Sequence, residues 1–152
     1  MKTYLTSSSE QTKKLGERFA KELVGKNMKA KKASVFGLKG DLGAGKTTFV
    51  QGFWKGLGLK KRPQSPTFII MRRHAVKHKR FSNVFHIDAY RLKGSADLGP
   101  LGLKEVFAEP GNIILIEWAE RVKKILPKDT IWLSFARGKG EHERSIIIKR
   151  PK

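Results

Sequence analysis

The residues best suited to chemistry are Gly40, Asp41, Leu42, Gly43, Ala44, Gly45, Lys46 and Thr47, which match the pattern G-x-x-x-x-G-K-[ST] without a mismatch and are followed by Thr48. Such a loop wraps a phosphate with successive backbone N–H groups, and the helix that follows presents its own unpaired donors and positive dipole end. Lys46 would supply a cation to the β- and γ-phosphates, and the Thr47 hydroxyl would ligate Mg²⁺. Hydrogen bonds to charged groups contribute about 1.5–3 kcal/mol each, so a few supply the roughly 8 kcal/mol of micromolar affinity. A chance glycine-rich turn is disfavoured by the complete pattern in a strand-to-helix setting.

A Mg²⁺ site of this class takes an acidic partner from the end of a neighbouring buried strand. Glu117, at the end of the run Ile113-Ile114-Leu115-Ile116, has that form. The plainer alternative is an ordinary strand-end acid or the cap of a turn beginning at Trp118. Ser65-Pro66-Thr67 offers a threonine that could sense a γ-phosphate, or simply a turn leading into a strand. In His86-Ile87-Asp88-Ala89-Tyr90-Arg91, strand alternation puts His86, Asp88 and Tyr90 on one face. Asp88 could orient water or Mg²⁺ there and Arg91 could meet phosphate, although a lone polar row is more often a surface-facing strand edge.

The elements that must position these groups follow from periodicity. Ser8 and Gln11 have capping-box spacing, and Leu15, Phe19 and Leu23 recur every four residues, which predicts an amphipathic helix over Ser9 to Val24. Ala33 to Lys39 reads as a buried strand running into the glycine loop, and a helix from about Lys46 to Leu57 is closed by Gly58. Phe68 to Val76 and Val84 to Ala89 read as strands joined by the turn His78-Lys79-Arg80, and Leu101 to Phe107 as a short helix. The aliphatic run 113–116 has the character of a strand covered on both faces. Thr130 to Phe135 and Ser145 to Lys149 form a plausible terminal pair of strands. The mixture predicts an α/β fold: a layered sheet of parallel and antiparallel strands flanked by helices, in one domain over 1–152.

The 152 residues fit one domain, and a domain of that size buries roughly 68–70% of its unfolded surface. The chain has no cysteine, which excludes disulfides, thiolate zinc sites and thiol nucleophiles and suits a reducing cytosol. Apolar runs are too short for a signal peptide or a membrane span of about 18 residues, so the expected location is cytoplasmic. There are 33 Lys+Arg against 13 Asp+Glu, a net charge of +20 that favours polyanions. The basic residues cluster at Lys26 to Lys32, Lys60 to Arg62, Arg72 to Arg80 and Lys149 to Lys152, with few aromatics between them. Contact with RNA phosphates and a lysine-rich solvated surface are both open readings.

Five blocks then occur in one order: 40–48, Ser-Pro-Thr-Phe at 65–68, His-Ile-Asp-Ala-Tyr-Arg at 86–91, Leu-Gly-Leu at 101–103 and Ile-Glu-Trp-Ala-Glu at 116–120. Together they resemble the TsaE (formerly YjeE) family, the P-loop ATPases of bacterial tRNA threonylcarbamoyladenosine biosynthesis. The resemblance implies ATP on Gly43 to Thr48 and Mg²⁺ on Thr47 and Glu117. It also implies a role for Asp88 in hydrolysis and a place for Thr67 beside the γ-phosphate. By position it brings the segment Ser7 to Glu10, with Ser9, near the adenine, and makes Arg144 a nucleotide neighbour. It further implies the subunits TsaB and TsaD as partners, with ATP turnover weak alone and supporting repeated cycles of tRNA modification.

A small-molecule kinase is the second reading, but it would commonly bring an arginine-bearing lid, and 94–112 contains no arginine. A GTPase would want Asn-Lys-x-Asp, which does not occur. A non-catalytic RNA-binding module would have no use for Asp88 and Glu117.

Overall fold

The computed structural model describes residues 1–26, 29–60, 71–93, 99 and 101–151. Strands β1 (Lys2–Thr6), β2 (Ser34–Lys39), β3 (Met71–Ala75), β4 (Asn83–Asp88), β5 (Asn112–Glu117), β6 (Ile131–Arg137) and β7 (Arg144–Lys149) form one sheet in the order β1-β7-β6-β2-β5-β4-β3. The centre is parallel: β2 pairs with β5 and β6, and β5 with β4. Both margins are antiparallel, through β3 on β4, β7 on β6 and β1 on β7. This is the mixed α/β sheet that the sequence predicts.

Every residue of β5 is buried, as its aliphatic run requires. Alternation divides that strand between two layers. Ile113 and Leu115 join the core beneath helices α1 (Ser9–Gly25) and α2 (Lys46–Gly56). Ile114 and Ile116 join the core beneath α3 (Leu103–Ala108) and a 3-10 helix over Ala119–Ile125. On β4, Val84 belongs to the first layer and Phe85 and Ile87 to the second. His86 and Asp88, alternating with them, therefore face the α2 side, as does Glu117 on β5.

Helix α1 starts where the capping signal put it, with the Gln11 N–H donating to Ser8 Oγ at 3.2 Å. The reciprocal half of the capping box lands one residue earlier than its spacing predicts: Gln11 Oε1 accepts from the Ser7 N–H at 2.8 Å. Helices α1 and α2 meet backbone to backbone. A Cβ on Gly16 would collide with the Phe49 carbonyl, and one on Gly52 with the Lys13 carbonyl. Aromatic packing of Phe19, Phe49, Phe53 and Phe135 fills the layer below.

Two elements were not anticipated, β1 and the 3-10 helix. The expected strand from Phe68 falls partly outside the described residues; within them it is Met71–Ala75. No helix among the described residues is long and apolar enough to cross a membrane.

Candidate functional site

Sheets of this kind place ligands beyond the carboxyl ends of parallel strands, where the strand order switches direction. Here that point is the end of β2, flanked by β5 on one side and β6 on the other. The glycine loop leaves β2 there and turns into α2. Gly45 caps the helix at φ 102°, ψ 11°, a left-handed conformation that a side chain would strain.

The first turn of α2 places Lys46 and Thr47 over the ends of β4 and β5. Lys46 is buried; its Nζ donates to the Gly40 carbonyl and, at 2.9 Å, to the Asp41 carbonyl. The same ammonium lies 4.0 Å from the centroid of the Trp118 ring. Burial pushes the lysine below its ordinary pKa, opposed by the carboxylates of Glu117, Glu120, Asp88 and Asp41. Thr47 Oγ1 donates to Glu117 Oε1 at 2.8 Å.

Glu117 is buried at the end of β5, and its second oxygen, Oε2, lies 2.9 Å from His86 Nε2. The carboxylate is thus held at both oxygens, one facing α2 and the other facing β4. His86 Nδ1 has no hydrogen-bond partner, and the ring packs edge-on against Trp54 at 5.7 Å. His86 therefore does not stand on a surface-facing strand edge, the plainer of the two readings of this row, whereas Tyr90, beyond the strand, is exposed. β4 is an inner strand with β3 outside it, and His86 is 1% exposed. The sequence signal was present, since a single imidazole among Val84, Phe85 and Ile87 must find a partner when the strand is covered.

Asp88 stands opposite Glu117 in the β4–β5 register and accepts the Tyr90 N–H at 2.9 Å. Burial pushes its carboxyl above the ordinary carboxylate value, the Tyr90 N–H pulls it back, and the Glu117 charge adds to the rise. The Tyr90 and Trp118 rings lie 4.9 Å apart, with the Arg121 guanidinium 5.3 and 5.6 Å from their centroids. Trp118 reaches this place from a left-handed backbone at φ 57°, φ being positive at no other described non-glycine residue.

These groups enclose a cavity of about 310 Å³. It brings together Gly43, Gly45, Lys46, Thr47 and Thr48 from the loop and α2, and Asp88 and Glu117 from the sheet. Leu42 also borders it, while Gly40, Asp41 and Ala44 build the loop behind. Ser9 and Arg144 line it too, from α1 and β7. Thr67 lies outside the described residues. Sequence reasoning missed four wall residues: Thr12, His142, Tyr90 as an aromatic wall, and Trp118. Thr12 is tied to the end of β1 by a 2.8 Å contact between its hydroxyl and that of Thr6. For Trp118 the signal was an aromatic directly after a strand-end acid.

The donor set can be tested against a metal. Thr47 and Glu117 present hard oxygens 2.8 Å apart, and no group of three or more His, Cys, Asp or Glu suited to a metal occurs among the described residues. Mg²⁺ is bound through one or two carboxylates plus waters and substrate phosphates, so this sparse oxygen pair fits it.

Comparison with known proteins finds relatives along most of the chain. A family model described as threonylcarbamoyl adenosine biosynthesis protein TsaE matches residues 6–146. The Bacillus subtilis tRNA threonylcarbamoyladenosine biosynthesis protein TsaE is 38% identical over 119 residues, covering 78% of this chain and 71% of that one. Its Treponema pallidum counterpart is 42% identical over 101 residues, 66% of this chain and 71% of the other. The crystal structure of YdiB from Bacillus subtilis superposes with a TM-score of 0.76 at 31% identity, covering 99% of this chain and 86% of that one.

Proposed function

This chain belongs to the TsaE family of tRNA threonylcarbamoyladenosine biosynthesis, and we propose that within that process it binds and hydrolyses Mg-ATP. The observation that carries the reading is the convergence of Lys46, Thr47, Glu117 and Asp88 at the carboxyl ends of β2, β4 and β5, around one cavity.

Thr47 and Glu117 would hold Mg²⁺, which when bound neutralises charge on the phosphates. Lys46 is a buried donor already aimed at oxygen. Its acceptors there, the Gly40 and Asp41 carbonyls, are neutral, and an anionic phosphate oxygen attracts an ammonium more strongly than a carbonyl does. Exchange of carbonyl for phosphate therefore favours the nucleotide, and the Trp118 face excludes water from the same ammonium. Asp88 has the role of orienting the attacking water and accepting its proton. A carboxyl raised toward the working pH is a better base than an ordinary aspartate, provided it remains ionised. Ser9, Thr12 and Arg144 form the far wall, where the remainder of the nucleotide would lie. Thr67 enters the proposal through the family resemblance alone. Partnership with TsaB and TsaD, weak turnover without them, and a cytoplasmic location belong to the same proposal.

Titration with Mg-ATP, followed by turnover assays with TsaB and TsaD present, tests it. Lys46→Ala should weaken nucleotide binding by about tenfold or more, the equivalent of at least one charged hydrogen bond. Asp88→Asn should bind nucleotide within about threefold of the parent yet turn over roughly 100-fold more slowly, as expected for loss of a general base. Absence of saturable Mg-ATP binding, or undiminished turnover in Asp88→Asn, would overturn the reading.

A further inference from the structure

The nucleotide cavity leaves most of the chain's positive charge unexplained. Its lining combines Lys46 and Arg144 with Asp88 and Glu117, a near balance of sign, whereas the molecule carries +20. The topology shows where part of the excess collects. On β6 and β7, Leu133, Phe135, Ile146 and Ile148 point into the core under α1 and α2. Their alternates, Trp132, Ser134, Ile147 and Lys149, point to the opposite face, in register as Trp132 with Lys149 and Ser134 with Ile147.

That opposite face lines a second concavity, of about 540 Å³. Five bases border it, Lys39, Lys123, Lys128, Lys149 and Arg150, against the single acid Glu120. All five are exposed. Of these five, only Arg150 is in an ion pair with a described residue, a loose one to Glu22 at 3.9 Å. Floor and rim come from separate elements: the end of β2, the 3-10 helix, the turn before β6 and the end of β7. Lys32 reaches the rim by pairing with Asp129 at 3.1 Å, and further lysines stand elsewhere at the amino ends of the sheet. Lys29, Lys31 and Lys32 precede β2, and Lys77 and Lys79 precede β4, at the amino ends of the parallel strands. Arg80, in the turn before β4, donates to the Leu23 carbonyl near the end of α1 at 2.7 Å.

We propose that this groove on the outer face of β6 and β7 is a binding surface for the phosphate backbone of RNA. The inference rests on the family's role in tRNA modification but not on ATP hydrolysis. Lysine is depleted at protein–protein interfaces, where buried aromatic and apolar anchors carry the energy. A lysine-rich rim around a half-buried tryptophan and a serine instead matches phosphate contacts, which position a nucleic acid without reading its sequence. The groove lies behind the sheet from α1 and α2, so RNA and nucleotide would occupy separate surfaces.

Fluorescence anisotropy of a labelled tRNA transcript across a salt series tests this, using the full chain. Each neutralised phosphate contributes about 0.7–0.9 to the slope of log K against log salt, so replacing Lys123, Lys128 and Lys149 by Gln should flatten the slope by about two. Affinity at 0.1 M salt should fall at least tenfold. A control removing the same charge elsewhere, Lys13→Gln, Lys14→Gln and Lys104→Gln, should change affinity less than threefold. Mg-ATP affinity of the groove variant should match that of the parent, which separates this result from a failure of the ATPase reading. Equal losses in both triple variants, a flat salt dependence in the parent chain, or a groove variant that keeps RNA but loses binding to an acidic protein would each overturn the assignment.

Discussion

The parallel centre of the sheet and its antiparallel flank solve opposite problems. β2, β5 and β4 are covered on both faces, so their interiors are nearly all apolar, and the few polar groups among them are paired. His86 and Glu117 hold each other there, and Asn83 donates to Asn112 at 3.2 Å. β6, β7 and β1 bury one face and leave the other to solvent, with half-buried and exposed positions alternating with core ones. The lesson is that burial rather than proximity to the glycine loop decides where this chain tolerates charge. The covered strands confine it to their carboxyl ends, around the cavity, and the half-covered strands can spread it over a surface.

That contrast can be broken in several places. Leu115→Ala, in the centre of β5 at 0% exposure, should cost about 2–5 kcal/mol, whereas Ile147→Ala on the open face of β7 should cost less than about 1 kcal/mol. Chemical denaturation of both variants checks the pair, and equal losses would erase the distinction. His86→Phe keeps the ring but frees Glu117 Oε2. It should raise the Mg²⁺ concentration needed for half-maximal nucleotide binding by about tenfold, the range expected when a ligand's supporting partner is removed. His86→Gln, which retains a donor, should recover part of that loss. A purely structural histidine would instead shift melting temperature and leave the metal titration unmoved.

The smallest effect belongs to Glu17, which lies 2.6 Å from Lys21 Nζ and 3.3 Å from Lys55 Nζ. The Lys21 hydrogen bond, then that of Lys55, holds its carboxyl below the ordinary value. A depressed carboxyl stabilises the fold above its unfolded pKa, and the contribution disappears as pH falls through the folded value. Glu17→Gln should therefore lower the melting temperature slightly at neutral pH, and the difference should close in acid, below about pH 4, when paired melts are compared.

Legibility followed the same division. The central strands and Glu117 could be read because a doubly covered strand is an aliphatic run ending abruptly in a polar residue. Lys46 and Thr47 could be read because the loop needs those types at fixed spacing. β1 could not, since its most apolar residue, Leu5, is 80% exposed while Thr6 is buried, the reverse of what hydropathy predicts. The 3-10 helix hides for a geometric reason: its buried residues, Ala119 and Val122, recur at three rather than four. His86 was seen but misplaced, because whether a strand lies inside or at an edge depends on pairing with distant β3 and β5.

The glycine contact between α1 and α2 has a mechanical consequence. With main chain seated on main chain, no compressible layer of side chains separates the two helices, and sliding one along the other would drive carbonyls into each other. Ser9 and Thr12 on one helix and Lys46 to Thr48 on the other thus form a single stiff jaw. Opening of the cleft to admit or release a guest then falls to its other walls, among them the paired rings of Tyr90 and Trp118.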